Sequence, residues 1–163
     1  MRRGFSMIEL VIVTVIIGIL ASIAIPKLAY SRDDARATTC AEHFSNVVSE
    51  FITHYAKKDF LEFKNMTVGE LTNLRAGTTE TGIKQQIGDK IISSDGEGDD
   101  LNFYCESGEY ASLDFVQNGT DVKVILKAKS GGDSPAAIKA SKIVQKNYHM
   151  QKVGDTYQAT ITP

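Results

Sequence analysis

At 163 residues the chain has room for one ordinary domain and an appended segment. Its formal charge of −2 and pI of about 5.9 exclude a global basic field that would concentrate nucleic acid. Its 2 cysteines, Cys40 and Cys105, fall in no C-x-x-C or Cys/His cluster, which excludes a zinc or dithiol-redox module of the usual spacing.

The chain opens Met1-Arg2-Arg3-Gly4 and then runs FSMIELVIVTVIIGILASIAIP from Phe5 to Pro26, with no ionisable side chain between Leu10 and Ile25. Three readings compete for this stretch. A secretory signal has a basic start, an apolar run and a cut site between small residues, and Ala21–Ala24 offers one. A permanent anchor needs about 20 apolar residues to cross a hydrocarbon layer of about 30 Å, and Phe5–Ile25 meets that length. The third reading is an anchor that is also an assembly helix. Glu9 separates them. A carboxylate in a membrane run costs about 2.5–3.5 kcal/mol at mid-bilayer and less near the interface, so a plain signal or anchor has no use for it. A free α-amino group is mostly cationic at neutral pH. Cleavage after Gly4 would put such an amine on Phe5, one helical turn before Glu9, placed to pair with Glu9 of its own chain or of a neighbour. In a low-dielectric core that pair is strengthened, and an unpaired Glu9 is costly.

The run Gly4-Phe5-Ser6-Met7-Ile8-Glu9-Leu10-Val11, continued by Gly18-Ile19-Leu20-Ala21 and Ala24-Ile25-Pro26, resembles the N-terminal signature of type IV prepilins and type II secretion pseudopilins. The resemblance covers roughly the first 30 residues. It implies a leader of residues 1–4, cleavage between Gly4 and Phe5 by a prepilin peptidase, and N-methylation of Phe5. It also implies that Glu9 registers an incoming subunit against the amine of its neighbour. Pro26 removes a helix hydrogen bond; the resemblance suggests a kink there, while the residue alone is equally consistent with the exit from the membrane. Gly18 lets another helix approach closely, or is incidental.

Past Lys27 the helical pattern continues. Cys40, Phe44, Val47, Val48, Phe51, Ile52 and Tyr55 recur at three- and four-residue spacing. One helix from about Ser6 to Lys57 is expected, with residues 5–28 in the membrane and 29–57 laying an apolar stripe on a head. Residues 58–100 read as a polar connection with short helices at Val68–Arg75 and Glu80–Gln86, the first capped by Thr67 with Glu70 completing a capping box. Residues 101–163 read as the antiparallel sheet of the head. Leu101, Phe103 and Cys105 alternate, as do Ala111, Leu113 and Phe115, then Val122, Val124 and Leu126, then Tyr157, Ala159 and Ile161. Asn118-Gly119 signals a two-residue hairpin. Asp133-Ser134-Pro135 starts a short helix to about Gln145, and Asn147–Val153 with Asp155–Thr162 forms a last hairpin across Gly154. The fold class is therefore α+β, a long N-terminal helix packed on a small antiparallel sheet head, pilin-like by the resemblance.

Cys40 falls on the apolar helix face and Cys105 on the face of its strand shared with Leu101 and Phe103, so a disulfide and two buried thiols are both open. Ser94–Asp100 concentrates carboxylates among glycines, which suits calcium or a solvated acidic turn; lacking the EF-hand pattern, it is read as the turn. His43, His54 and His149 have no ligand spacing, and no catalytic or nucleotide motif occurs, so no metal, cofactor or enzymatic activity is expected. Lys123, Lys127, Lys129, Lys139, Lys142 and Lys146 lack interleaved aromatics, and DNA binding is set aside.

The sequence thus reads as a filament subunit, a pseudopilin of a type II secretion-like system serving secretion or DNA uptake. A true pilus subunit for adhesion or twitching is the nearer alternative, and a soluble periplasmic binding protein with an ordinary signal the more distant one. Its expected partners are copies of itself and other pilins or pseudopilins, the peptidase, an assembly platform with its ATPase, and lipid before assembly. Its expected place is the bacterial inner membrane, crossed once, with the head in the periplasm and the filament periplasmic or extracellular.

Overall fold

A computed structural model describes residues 6–58, 60–92, 100–119 and 121–161. Helix α1 (Met7–Lys57) is continuous through Pro26. In its first half the large apolar side chains stand in the open: Ile8, Leu10, Val11, Ile12 and those beyond to Tyr30 are exposed. From Ala37 on, the stripe Ala37, Cys40, Ala41, Phe44, Val47, Val48 and Phe51 turns inward, the three- and four-residue spacing that places side chains on one face of a helix. At the far end Lys58 donates to the His54 carbonyl at 3.0 Å, and His54 and Lys57 complement the helix C-terminus.

Helices α2 (Phe60–Lys64) and α3 (Val68–Leu71) follow. Thr67 donates to Glu70 Oε2 from its backbone N–H at 2.8 Å and from its hydroxyl at 3.1 Å, supplying the carboxylate arm of the expected box. Helix α3 stops at Leu71 rather than Arg75, because the Thr72 hydroxyl accepts from the Leu74 N–H and holds the chain extended. These bonds hold the Glu70 carboxyl below the ordinary glutamate range, the Thr67 backbone donor contributing most. A depressed folded value means that the stabilisation is present above the ordinary range and is lost as pH falls through the folded value. Thermal melts of wild type and Glu70→Ala should therefore differ at neutral pH and converge as the pH falls below the ordinary glutamate range.

The expected helix at Glu80–Gln86 is corrected. Strand β1 (Gly82–Ile83) lies there instead, antiparallel to β2 (Leu101–Cys105), with Gly82 opposite Tyr104 and Ile83 opposite Phe103. Two causes are local. Gly82 sits at φ 142°, where a Cβ would lie 2.2 Å from the Arg75 carbonyl oxygen, so no helix passes through it. Beyond Ile83 the Gln85 amide imitates a strand: its Nε2 donates to the Asp100 carbonyl, and its Oε1 accepts from the Asn102 N–H at 3.0 Å. The sheet thus begins before residue 101.

Strands β3 (Gly108–Asn118) and β4 (Asp121–Lys129) form the expected hairpin, with Asn118 as the last paired residue opposite Asp121 and Gly119 at φ 67°. Helix α4 (Pro135–Asn147) starts at Ser134, whose Oγ accepts from the Ala137 N–H at 3.1 Å, with Pro135 in its first turn. Strands β5 (Gln151–Val153) and β6 (Thr156–Ile161) pair across Gly154; Asn147 belongs to α4, so this hairpin is shorter than expected. The order is β1-β2-β3-β4-β6-β5, antiparallel throughout.

Both α1 and α4 cover one face of this sheet. Phe44 meets Phe103 at 5.0 Å and Tyr148 at 5.7 Å, and Phe51 meets Phe63 and Phe115 at 5.2 Å. Helix α4 approaches closely because it presents Ala136, Ala137, Ala140 and Ser141; a Cβ on Gly108 would lie 2.7 Å from that of Ala137. The other face is ionic. Lys127 Nζ bridges Asp100 at 3.1 Å and Asp114 at 3.3 Å, and Lys129 reaches Glu109 at 3.0 Å. Burial pulls the Lys127 ammonium down, but the bonds and charges of Asp100 and then Asp114 outweigh it and leave it above the ordinary lysine value. These pairings leave Lys127 and Lys129 engaged with carboxylates on their own sheet.

Candidate assembly site on the membrane helix

The described part of the membrane segment begins at Ser6; Gly4 and Phe5 lie outside the described residues, as do Ser94–Asp99 of the acidic loop. Ser6 is the N-cap of α1, in extended conformation at φ −79° and ψ 149°. Its Oγ accepts from the Glu9 N–H at 3.3 Å, and the Ser6 N–H donates to Glu9 Oε2 at 2.8 Å. This is a reciprocal capping box, which satisfies two donors that a helix start leaves without partners. Ser6 was not singled out from the sequence, although Ser-x-x-Glu before an apolar run is the signal that would have found it. One consequence is that Glu9 has a partner on its own chain in the absence of a neighbour, which offsets part of the cost of a carboxylate among apolar side chains. Replacing Ser6 with alanine should cost about 1 kcal/mol of helix start. In lipid nanodiscs, amide exchange at Ile8–Leu10 should then quicken about fivefold.

The hydroxyls of Thr14 and Ser22 are satisfied within the helix. Thr14 donates to the Val11 carbonyl at 2.9 Å and Ser22 to that of Ile19 at 2.7 Å, as lipid requires. Gly18 has no neighbour within 4 Å. The segment is long and apolar enough to cross a membrane, and none of it is buried against the head.

Further along α1 the head takes hold. Lys139 of α4 reaches Asp34 at 2.6 Å and lies 5.7 Å from the centre of the Tyr30 ring. Arg36 pairs with Glu106 beside a cleft of about 380 Å³ lined by Ala35, Thr39 and Thr81. Cys40 and Cys105 are joined as a disulfide with Cα atoms 6.0 Å apart and a sequence separation of 65, which decides between the two cysteine readings. A loop of that size contributes roughly 4 kcal/mol in the chain-entropy model. The Tyr110 hydroxyl, which burial pushes well above the ordinary phenol value, donates to the Cys40 carbonyl at 2.6 Å. His43 and His54 are half-buried on α1 and His149 is exposed after α4; among the described residues no group of three His, Cys, Asp or Glu converges as metal ligands.

Residues 1–25 match the family model described as the prokaryotic N-terminal methylation motif. The architecture, a long N-terminal helix packed on an antiparallel sheet, is pilin-like. Over 130 residues the chain is 26% identical to the type II secretion system core protein G of Klebsiella michiganensis, a match covering 80% of this chain and 78% of that relative. The similarity thus extends well past the motif into the head. No solved structure matches the chain. What the pilin-like arrangement offers chemically is a rod of unpartnered apolar surface, with one carboxylate held near its end and a folded head gripping the rod from Tyr30 onward.

Proposed function

We propose that this protein is a pseudopilin, a structural subunit of the filament of a type II secretion-like system. The observation that carries the proposal is the methylation motif leading without a break into an exposed apolar helix whose continuation is built into the head. The likeness to a type II secretion core protein over most of both chains supports the choice of system.

In this account a prepilin peptidase removes residues 1–4 and N-methylates Phe5. Residues 5–28 hold the subunit in the inner membrane, with residues 29–57 and the head on the periplasmic side. The cationic amine of Phe5 and the carboxylate of Glu9 form pairs between neighbouring subunits, setting each newcomer one step from the last. Apolar residues of Leu10–Ile25 then exchange lipid for neighbouring helices, and close packing is the driving force where lipid and side chain are equally apolar. Gly18 admits a neighbouring helix, and Pro26 marks a place where α1 bends on leaving lipid. The chain itself does no chemistry and needs no cofactor; an assembly ATPase and its membrane platform do the work on it. Deleting the gene in its host should leave folded cargo in the periplasm, restored to the medium by the wild-type gene. Loss of retractile surface fibres with secretion intact would instead assign the subunit to a pilus.

A further inference from the structure

The lysines of the C-terminal part fall into separate groups in the fold. Lys127 and Lys129 are engaged by carboxylates of their own sheet. On α4, by contrast, Lys139, Lys142 and Lys146 recur at three- and four-residue spacing and form one stripe. The start of that stripe meets α1 just past the apolar run. Lys139 Nζ lies 2.6 Å from Asp34 Oδ1, 3.5 Å from the Tyr30 carbonyl oxygen and 5.7 Å from the centre of the Tyr30 ring. With Asp34, Ala37, Thr38 and Ile143, Lys139 and Lys142 line a cleft of about 360 Å³ between α1 and α4. Lys27 shares this side of α1, since Lys27, Tyr30 and Asp34 follow one another at helical spacing. Lys27, Arg32 and Lys142 are exposed and pair with no carboxylate among the described residues. Around this end of the head Lys27, Arg32, Lys139 and Lys142 face only Asp33 and Asp34, while Arg36 and Glu106 cancel each other. The patch is therefore net cationic on a chain whose overall charge is −2.

Its height on the rod decides what it meets. With the span ending at Leu28, Tyr30 stands about 3 Å and Asp34 about 9 Å beyond it along the helix axis. The headgroup layer is about 5–7 Å deep on each side of the hydrocarbon. Lys27 and the exposed Tyr30 thus lie within that layer, where a lysine stem snorkels and an aromatic ring settles. Lys139 reaches down to the Tyr30 carbonyl, and Lys142, level with Thr38 at about 15 Å, is within a Debye length of the phosphates. We propose that Lys27, Arg32, Lys139 and Lys142 form a docking surface for the phosphodiester headgroups of anionic phospholipid in the leaflet where α1 leaves the membrane. The surface holds the head down on that leaflet while the subunit waits in lipid. This rests on the membrane reading of residues 5–28 and not on the filament. Lipid is favoured over nucleic acid because the cations are continuous with the membrane span and no aromatic interleaves the stripe.

The test weighs the full chain intact by native mass spectrometry, released from neutral detergent micelles carrying equal amounts of phosphatidylglycerol and phosphatidylcholine. Phosphatidylglycerol should be retained over phosphatidylcholine on the order of tenfold. Lys27→Gln/Lys142→Gln, which breaks no ion pair, should bring the ratio near unity. Lys123→Gln is the control: Lys123 adjoins Val124 opposite Phe115, which packs on Phe51, about 35 Å beyond Leu28. It should leave the ratio unchanged. Asp34→Asn, which removes a carboxylate and releases Lys139, should raise the ratio about fivefold, a gain that lost structure would not give. Equal retention of the two lipids overturns the proposal, as does a loss in Lys123→Gln equal to that in the double variant. Displacement of the lipid by equimolar inorganic phosphate or by a DNA duplex overturns it too, and gives the patch to free phosphate or to nucleic acid. A chain that stays soluble without detergent and carries neither lipid overturns the membrane reading itself.

Discussion

Replacing Glu9 with leucine should leave leader removal at its normal rate while cutting filament assembly about thirtyfold or more, the equivalent of about 2–5 kcal/mol for one partner of a buried charge pair. The direction follows from the two environments that the carboxylate meets. In lipid, before assembly, it is a liability only partly offset by the Ser6 N–H at 2.8 Å, so the leucine variant should sit in the membrane at least as well as wild type. In the proposed filament core it is the counter-ion of a neighbour's amine, and removing it would leave that amine buried without a partner. Glu9→Gln distinguishes charge from capping. Glutamine retains the capping geometry with Ser6 but carries no charge. If the charge governs assembly, both variants fail alike; if the helix start governs it, glutamine recovers most of the loss and leucine does not. Sedimented filaments per unit of processed subunit are the quantity to compare.

The second large effect is expected in the head. Phe44 is fully buried where α1, β2 and the end of α4 meet, edge-on to Phe103 at 5.0 Å and to Tyr148 at 5.7 Å. Truncation to alanine removes the ring and leaves a cavity among neighbours fixed by their own backbones, for a loss of about 3–5 kcal/mol. For a head of this size that corresponds to a fall in Tm on the order of 10–20 °C. Thermal unfolding of the detergent-solubilised chain, followed by circular dichroism, measures it. Leader removal should be unaffected, since the methylation motif ends at residue 25 and the contacts of Phe44 lie far beyond it. A melting temperature within a few degrees of wild type would mean that α1 and the sheet do not depend on this contact.

How much of this was visible in the chain differs by element. The span of α1 was legible because its two halves carry unambiguous patterns, an uncharged run and then a stripe at three- and four-residue spacing. Strands β2 and β4 alternate cleanly because one face is buried by helices and the other faces the ion pairs of Lys127, while β6 carries an alternating sequence but is only half-buried along most of its length. Strand β1 was missed because two residues make no pattern, and the pairing is set by Gly82 and the Gln85 side chain rather than by alternation. Helix α4 was placed by Ser134-Pro135, but its wedging against both α1 and the sheet depends on small residues whose role appears only once Gly108 lies opposite. At the assembly site, Gly4, Phe5 and Glu9 stood out by type and spacing, whereas Ser6 did not: a serine beside an apolar run carries little weight until its hydrogen bonds are known. Facing made a bond between Cys40 and Cys105 possible without deciding between it and two buried thiols; the left-handed residues Glu106 and Ser107 that follow Cys105 carry no local signal.

The N-terminus of the mature chain tests the central claim most directly. Intact mass and terminal fragmentation of the protein recovered from host membranes should show a chain that has lost residues 1–4 and begins with N-methylated Phe5, with Glu9 retained. A chain beginning near Ile25, released in soluble form, would remove both the membrane rod and the carboxylate on it and would contradict the account outright.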